Sequence, residues 1–291
     1  MRTYKNKVKK RAFLLVSILF LCLISKTYGY EFSLKLAGGM SFINLSNLNH
    51  IRQDWEELYR IDSDEYKNWS FIEGEIGSLK NSFDFAGELV FTLHPRIAIS
   101  IGTGFTFSEL NPEKPNFSIE KKVRTLEYIY PMKVSAIPAI LSGYYLFPLS
   151  SRFKAYAKAG AGFIWAKYID REGKKQSLND KYNFYFSRNT KARGAILSGA
   201  LGLMVESEQG INFFIESSFQ KASISDFTEV DEQGLIGTLF FYEEYIPQLE
   251  FWQSKCTLWG QGPSGENFRS VQKAEIDLSG FSVKLGIIIN F

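Results

Sequence analysis

Only two histidines occur in the chain, His50 and His94, and they bound the acid–base chemistry open to it. His94 heads a His94-Pro95-Arg96 turn with Thr92 and Ser100 close in sequence, while His50 lies in a long stretch without periodicity. A His–Ser hydrolytic pair needs its members within hydrogen-bond reach, roughly 3 Å. An esterase on His94 with Thr92 or Ser100 is the one catalytic arrangement this spacing admits, and a solvated turn histidine is the simpler reading. A zinc site asks for clustered His and Cys ligands, whereas Cys256 stands among scattered acids. Gly102/Gly104 and Gly160/Gly162 sit inside alternating runs, not before a helix as a phosphate-binding loop does. The chain is therefore expected to be no enzyme and to hold no metal and no cofactor.

The elements that would position these groups alternate with a period of two, the mark of a strand with one apolar and one polar face. Residues 82–93 put Phe83, Phe85, Leu89, Phe91 and Leu93 on one side against Ser82, Asp84, Ala86, Glu88 and Thr92. Residues 97–107 return with Ile97, Ile99, Ile101, Phe105 and Phe107, so the two runs read as a hairpin. Similar pairs fall at 133–147 with 152–166 and at 194–205 with 211–221. A first strand at 31–42 and a last at 274–291 make eight. Short links alternate strictly with long ones at about 43–81, 108–132, 167–193 and 222–273, with a short helix expected at 54–59. A second hairpin strand at 237–245 leaves ten strands open as an alternative.

Strict alternation of link length places all short links at one rim of a closed antiparallel barrel and all long ones at the other. Large apolar residues on one parity and small or charged ones on the other describe a barrel that is greasy outside, so the fold class expected is all-β, an up-and-down membrane β-barrel. A soluble sandwich or lipocalin-like barrel would carry its apolar face inside. Six charges fall on the inner parity: Asp84, Glu88, Lys154, Lys158, Glu216 and Lys284. Three bases against three acids predict mutual neutralisation, because an unpaired interior charge is costly. A salt-bridged plug is the first reading. A thin water-filled path beside Gly102, Gly104, Gly160 and Gly162 is the second. Rings near strand ends (Tyr144, Tyr145, Phe147, Phe163, Trp165 and Tyr168) suit the aromatic girdles of such barrels.

Six basic residues between Arg2 and Arg11 precede an apolar run from Ala12 to Ile24, and Thr27 and Gly29 are small. This is the pattern of a cleavable export signal, expected over residues 1–29 with the cut near Gly29. Thirteen apolar residues are short for a membrane helix, which needs about 20, and bulky Phe20 and Leu21 before Cys22 argue against lipid attachment. Of 34 basic and 31 acidic residues, the signal holds seven and none, leaving 27 against 31 and a formal charge of −4. A nucleic-acid partner, whose footprint is a basic patch, is not expected. Mature Cys256 has no second cysteine to pair with.

With the strand Phe281-Ser-Val-Lys-Leu-Gly-Ile-Ile-Ile-Asn-Phe291, the Tyr156-Ala-Lys-Ala-Gly160-Ala-Gly-Phe163 run and this loop rhythm, residues 30–291 resemble the bacterial outer-membrane β-barrel domain family, small and mostly eight-stranded barrels of the OmpA, OmpW and OmpX kind. The resemblance implies a Gram-negative outer-membrane location, contact with outer-membrane lipid and lipopolysaccharide, and insertion by the assembly machinery with Phe291 as its signal. It implies no enzyme activity and no particular ligand. The four long connections are expected outside the cell. Trp55, Tyr245, Phe251, Trp252 and Trp259 are the loop residues expected to meet an extracellular protein or a glycan, or to rest on the barrel and lipid headgroups. A monomer with a structural or surface-interaction role is the function expected; a narrow conduit for a small or hydrophobic solute and a lipid-processing esterase are the alternatives.

Overall fold

The computed structural model describes residues 31–46, 48–51, 53–54, 57, 70–74, 79, 82–110, 117–121, 124–129, 131–176, 183–207, 209–230 and 236–291. Eight strands form a closed antiparallel ring: β1 (Glu31–Ile43), β2 (Ser82–His94), β3 (Ile97–Leu110), β4 (Met132–Pro148), β5 (Phe153–Gln176), β6 (Asn183–Val205), β7 (Ile211–Lys221) and β8 (Gly280–Asn290). Each pairs with the next in order, and β8 pairs back onto β1 from Ser33↔Asn290 to Ile43↔Gly280. Closure leaves no open edge in the wall, which an apolar solvent would not tolerate. Among the described residues no helix is long and apolar enough to cross a membrane. The export signal expected at 1–29 lies outside the described residues.

The wall is inside out relative to a soluble protein. Outward-facing Leu141, Phe163, Leu201 and Leu285 are 64–67% exposed, while inward Ser33, Lys35, Asp84, Glu88, Ser100, Glu216 and Ser282 are buried. Soluble folds bury apolar groups and rarely leave a continuous apolar belt in water. This is the architecture of a membrane β-barrel. It excludes the soluble barrel, whose greasy face would be inside.

Strand limits differ from the sequence reading mainly on β5 and β6, which run to 24 and 23 residues. The third long connection thereby shrinks from 167–193 to 177–182. Above Trp165 the outward parity turns polar (Lys167, Arg171, Lys191, Arg193), so the apolar-outside rule loses the strand where it leaves the belt. The fourth long connection folds into strands Thr228–Val230, Ile236–Ile246, Phe251–Trp259 and Phe268–Lys273. The second hairpin expected at 237–245 is therefore real, but it pairs with Phe251–Trp259 outside the ring, which has eight strands and not ten. This outer sheet hangs on β6 through Thr228↔Lys191. In the first connection the helix is already formed at Ser46, whose N–H is capped by the Asn44 side chain at 3.2 Å. That is earlier than 54–59, where only Asp54 and Glu57 are described.

An apolar cluster fills the barrel at the long-loop rim. Val134, Ile164, Tyr168 and Ile196 from the wall meet Leu48, Phe227, Leu239 and Phe241 from the connections, all buried.

Candidate functional site

The inward side chains form three layers along the barrel axis. At mid-height, Glu88 on β2 and Glu216 on β7 face Lys35 on β1 and Lys158 on β5. Lys158 reaches Glu88 at 2.8 Å and Glu216 at 3.5 Å; Lys35 lies 3.7 Å from Glu88 and is bonded to Glu216. Two tyrosines complete the layer: the Tyr144 hydroxyl donates to Glu88, and that of Tyr156 donates to Glu216 at 2.9 Å. The Ser100 hydroxyl gives Glu88 a further bond at 3.0 Å. The Lys35 ammonium also sits over the Tyr156 and Phe214 rings at 4.8 and 4.5 Å, a cation–π arrangement that offsets part of its lost hydration. Lys35 and Glu216 are each 2% exposed. Two charges of each sign, every one with several partners, make a neutral layer of the kind burial tolerates.

At two positions glycine makes room for this layer. A Cβ on Gly102 would lie 2.7 Å from Glu88 Cγ, and one on Gly202 would lie 2.2 Å from the Tyr156 ring. Side chains of the lattice thus occupy the space those glycines leave. Lys284 and Asp84 form a second pair at 2.8 Å on the long-loop side, where the Thr106 hydroxyl also donates to Asp84 at 3.2 Å. Lys154 pairs with Glu206 at 2.5 Å near the short-turn rim.

A cavity of about 300 Å³ lies between the lattice and the short-turn rim, with Lys35, Tyr144 and Tyr156 at its inner end and His94, Pro95 and Glu206 near its mouth. A smaller one of about 60 Å³ lies on the other side, bounded by Glu88, Lys158, Asp84 and Lys284. Beyond it the apolar cluster fills the long-loop end.

All six inner charges named from the sequence therefore face the lumen, and the structure joins them to two that the sequence reading missed, Lys35 and Glu206. Arg188 and Asp170 form a further inward pair at 2.9 Å, so the inner charges among the described residues exceed three of each sign. Tyr144 and Tyr168 are buried inside the barrel, not part of an outer girdle; Tyr145, Phe147, Phe163 and Trp165 do face outward. Period two already separates Tyr144 from Tyr145, and Lys35 shares the parity of Ser33; those were the available signals.

His50 and His94 sit at opposite rims. The His94 ring accepts from the Arg96 N–H within its own turn at 3.3 Å, and the Ser100 hydroxyl is committed to Glu88. Among the described residues no cluster of His, Cys, Asp and Glu has the makings of a metal site.

Trp55 lies outside the described residues. Tyr245, Phe251 and Trp252 are half-buried in the outer sheet, with Trp252 between the Tyr245 ring at 5.1 Å and the Arg269 guanidinium at 4.1 Å. Trp259 remains 39% exposed, opposite Thr238 on the paired strand. Glu243 locks Phe268–Lys273 onto this sheet through Arg269 at 2.9 and 3.1 Å and Ser270 at 2.8 Å. Hydrogen bonding from Arg269 holds the Glu243 carboxyl below its ordinary range. Burial pushes the Cys256 thiol well above its own. Phe291 continues β8: its N–H donates to the Phe32 carbonyl at 2.9 Å and its ring lies 5.5 Å from that of Phe32.

No protein-family model matches the chain, and no curated protein matches it. Among solved structures it is similar to the outer membrane protease OmpT from Escherichia coli, with 8% identity and a TM-score of 0.26, over 90% of this chain and 96% of that one.

Proposed function

We propose that this is a non-enzymatic protein of the bacterial outer membrane, a monomeric barrel that closes its own lumen and works through the surface at its long-loop rim. The observation that carries this reading is the filled interior, with a neutral ion lattice at mid-height and an apolar cluster beyond it. The reading is supported by the engagement of two members of the hydrolytic arrangement considered from the sequence: the Ser100 hydroxyl donates to Glu88, and the His94 ring accepts from the Arg96 N–H. In this reading the signal at 1–29 is removed, the termini lie at the periplasmic rim, and the assembly machinery recognises Phe291. The outer sheet then offers Ile236, Trp259 and Val271, all exposed, to an extracellular protein or glycan.

The test is retention of expressing cells on immobilised glycans and matrix proteins. Wild-type cells should adhere to at least one surface, and an Ile236→Ser, Trp259→Ser, Val271→Ser variant that still assembles should lose that adhesion. Equal retention of both and of cells without the protein would reject the surface role. Narrow passage of a small or hydrophobic solute is the second reading, favoured by the cavity of about 300 Å³ that opens at the short-turn rim.

A further inference from the structure

Above the apolar belt, β5 and β6 carry four cations on the outward parity: Lys167 and Arg171 on β5, Lys191 and Arg193 on β6. The register sets Lys167 directly opposite Lys191, and Arg193 directly opposite Trp165. Side chains so placed have Cβ atoms about 4.5–5.5 Å apart, and like charges there repel. Among the described residues no acid forms an ion pair with Lys167, Lys191 or Arg193. The contrast is Lys133 on the adjoining strand, which faces the same way and is matched by Glu109 at 2.6 Å. Neighbouring acids are engaged: Glu229 accepts the Asn189 N–H at 3.0 Å, Asp170 turns inward to Arg188 at 2.9 Å, and Asp226 holds Lys273 at 2.5 Å.

Directly below, Trp165, Phe163, Ile137 and Leu197 point outward and are 49–66% exposed. The wall thus passes from an acyl-contacting face to a triangle of cations within a few residues, with an aromatic ring at the boundary. An anion between two lysines set opposite one another on the ladder would relieve their repulsion, and phosphate oxygens accept several charge-assisted bonds at once. We infer that Lys167, Lys191 and Arg193 bind the phosphate of a phosphorylated membrane lipid, whose acyl chains lie along Phe163 and Leu197. Contact with apolar wall distinguishes this occupant from free phosphate. The site rests on the reading of the barrel as membrane-inserted, and it adds a lipid of defined headgroup chemistry to it.

The test uses the full-length mature protein in phosphatidylcholine nanodiscs doped with bis-phosphorylated lipid A, followed by native mass spectrometry. Wild type should retain lipid A in preference to phosphatidylcholine. A Lys167→Ala, Lys191→Ala, Arg193→Ala variant should retain at least about tenfold less, the size expected for lost charge-assisted contacts. Lys273→Ala, which removes a cation already matched by Asp226, should behave as wild type. Inorganic phosphate in excess should not compete; full competition would assign the site to the free ion and overturn the lipid. Equal retention by the triple variant, or no preference by an inserted wild type, would overturn the proposal and leave the barrel standing. Failure of the wild type to enter any nanodisc would remove the membrane reading and this site with it.

Discussion

Lys158 on β5 donates to Glu88 on β2 over 2.8 Å, a bond that crosses the lumen between strands three places apart in an eight-membered ring. Such a bond ties opposite walls together and occupies the axis that a solute would follow. The same carboxylate also takes the Tyr144 and Ser100 hydroxyls, so its removal strands more than one partner.

Glu88→Ala should destabilise the folded barrel by about 3–5 kcal/mol, because it leaves buried lysines without their counter-charge. Adding Lys158→Ala should cost less than the separate effects together, with a coupling of about 0.5–3 kcal/mol. Urea unfolding of the protein refolded into lipid vesicles measures both. Strictly additive losses would mean that the pair is not coupled.

Phe291→Ala should impair assembly in cells more than it impairs the folded barrel. The ring is 64% exposed and rests on Phe32, so its burial contributes less than the about 1.5–3 kcal/mol of a fully buried side chain. The comparison is the heat-modifiable fraction in cell envelopes against urea stability after refolding in detergent. Wild-type levels of insertion in cells would contradict this.

The outer sheet should loosen in acid. The Glu243 carboxyl is held below the usual glutamate range, first by its hydrogen bond from Arg269. A group whose folded pKa is depressed contributes stability that is complete above its unfolded value and is lost as pH falls through the folded one. Hydrogen exchange in Phe268–Lys273 should thus be unchanged from neutral pH down to about 4.5, after correction for intrinsic rates, and rise below it. Glu243→Gln should show the faster exchange at every pH. A profile identical in the two proteins would remove Glu243 from its role.

Orientation can be read on intact cells. Epitope tags within 45–75 or beside exposed Ser264 should be labelled, whereas tags at Pro95 or Glu208 should be silent until the envelope is opened. Glu208 lies outside the described residues, but the Ser207 and Gly210 that flank it close the β6–β7 turn at 3.3 Å. The reverse labelling would invert the barrel.

The wall was legible because alternation survives wherever lipid is on one side. Phe83, Phe85 and Ile99 are apolar for the same reason that Asp84 and Ser100 are not. Lys35 was harder: it shares its parity with Ser33, Ala37, Gly39 and Ser41, and a lone lysine among small inward residues shows no partner until β2 and β7 bring Glu88 and Glu216 beside it. Pairings such as Lys154 with Glu206 depend on register between strands, which period two cannot fix. Tyr168 and Phe241 belong to one apolar cluster only because the fourth connection folds back over the barrel mouth. That is a long-range event without local periodicity.

The most direct measurement is single-channel recording of the purified protein in planar bilayers, with Glu88→Ala and Lys158→Ala alongside. A lumen closed by the lattice and by the apolar cluster predicts an inserted wild-type barrel with no steady conductance. A steady open channel in the wild type, altered by those two substitutions, would contradict the closed lumen and make transport the leading function.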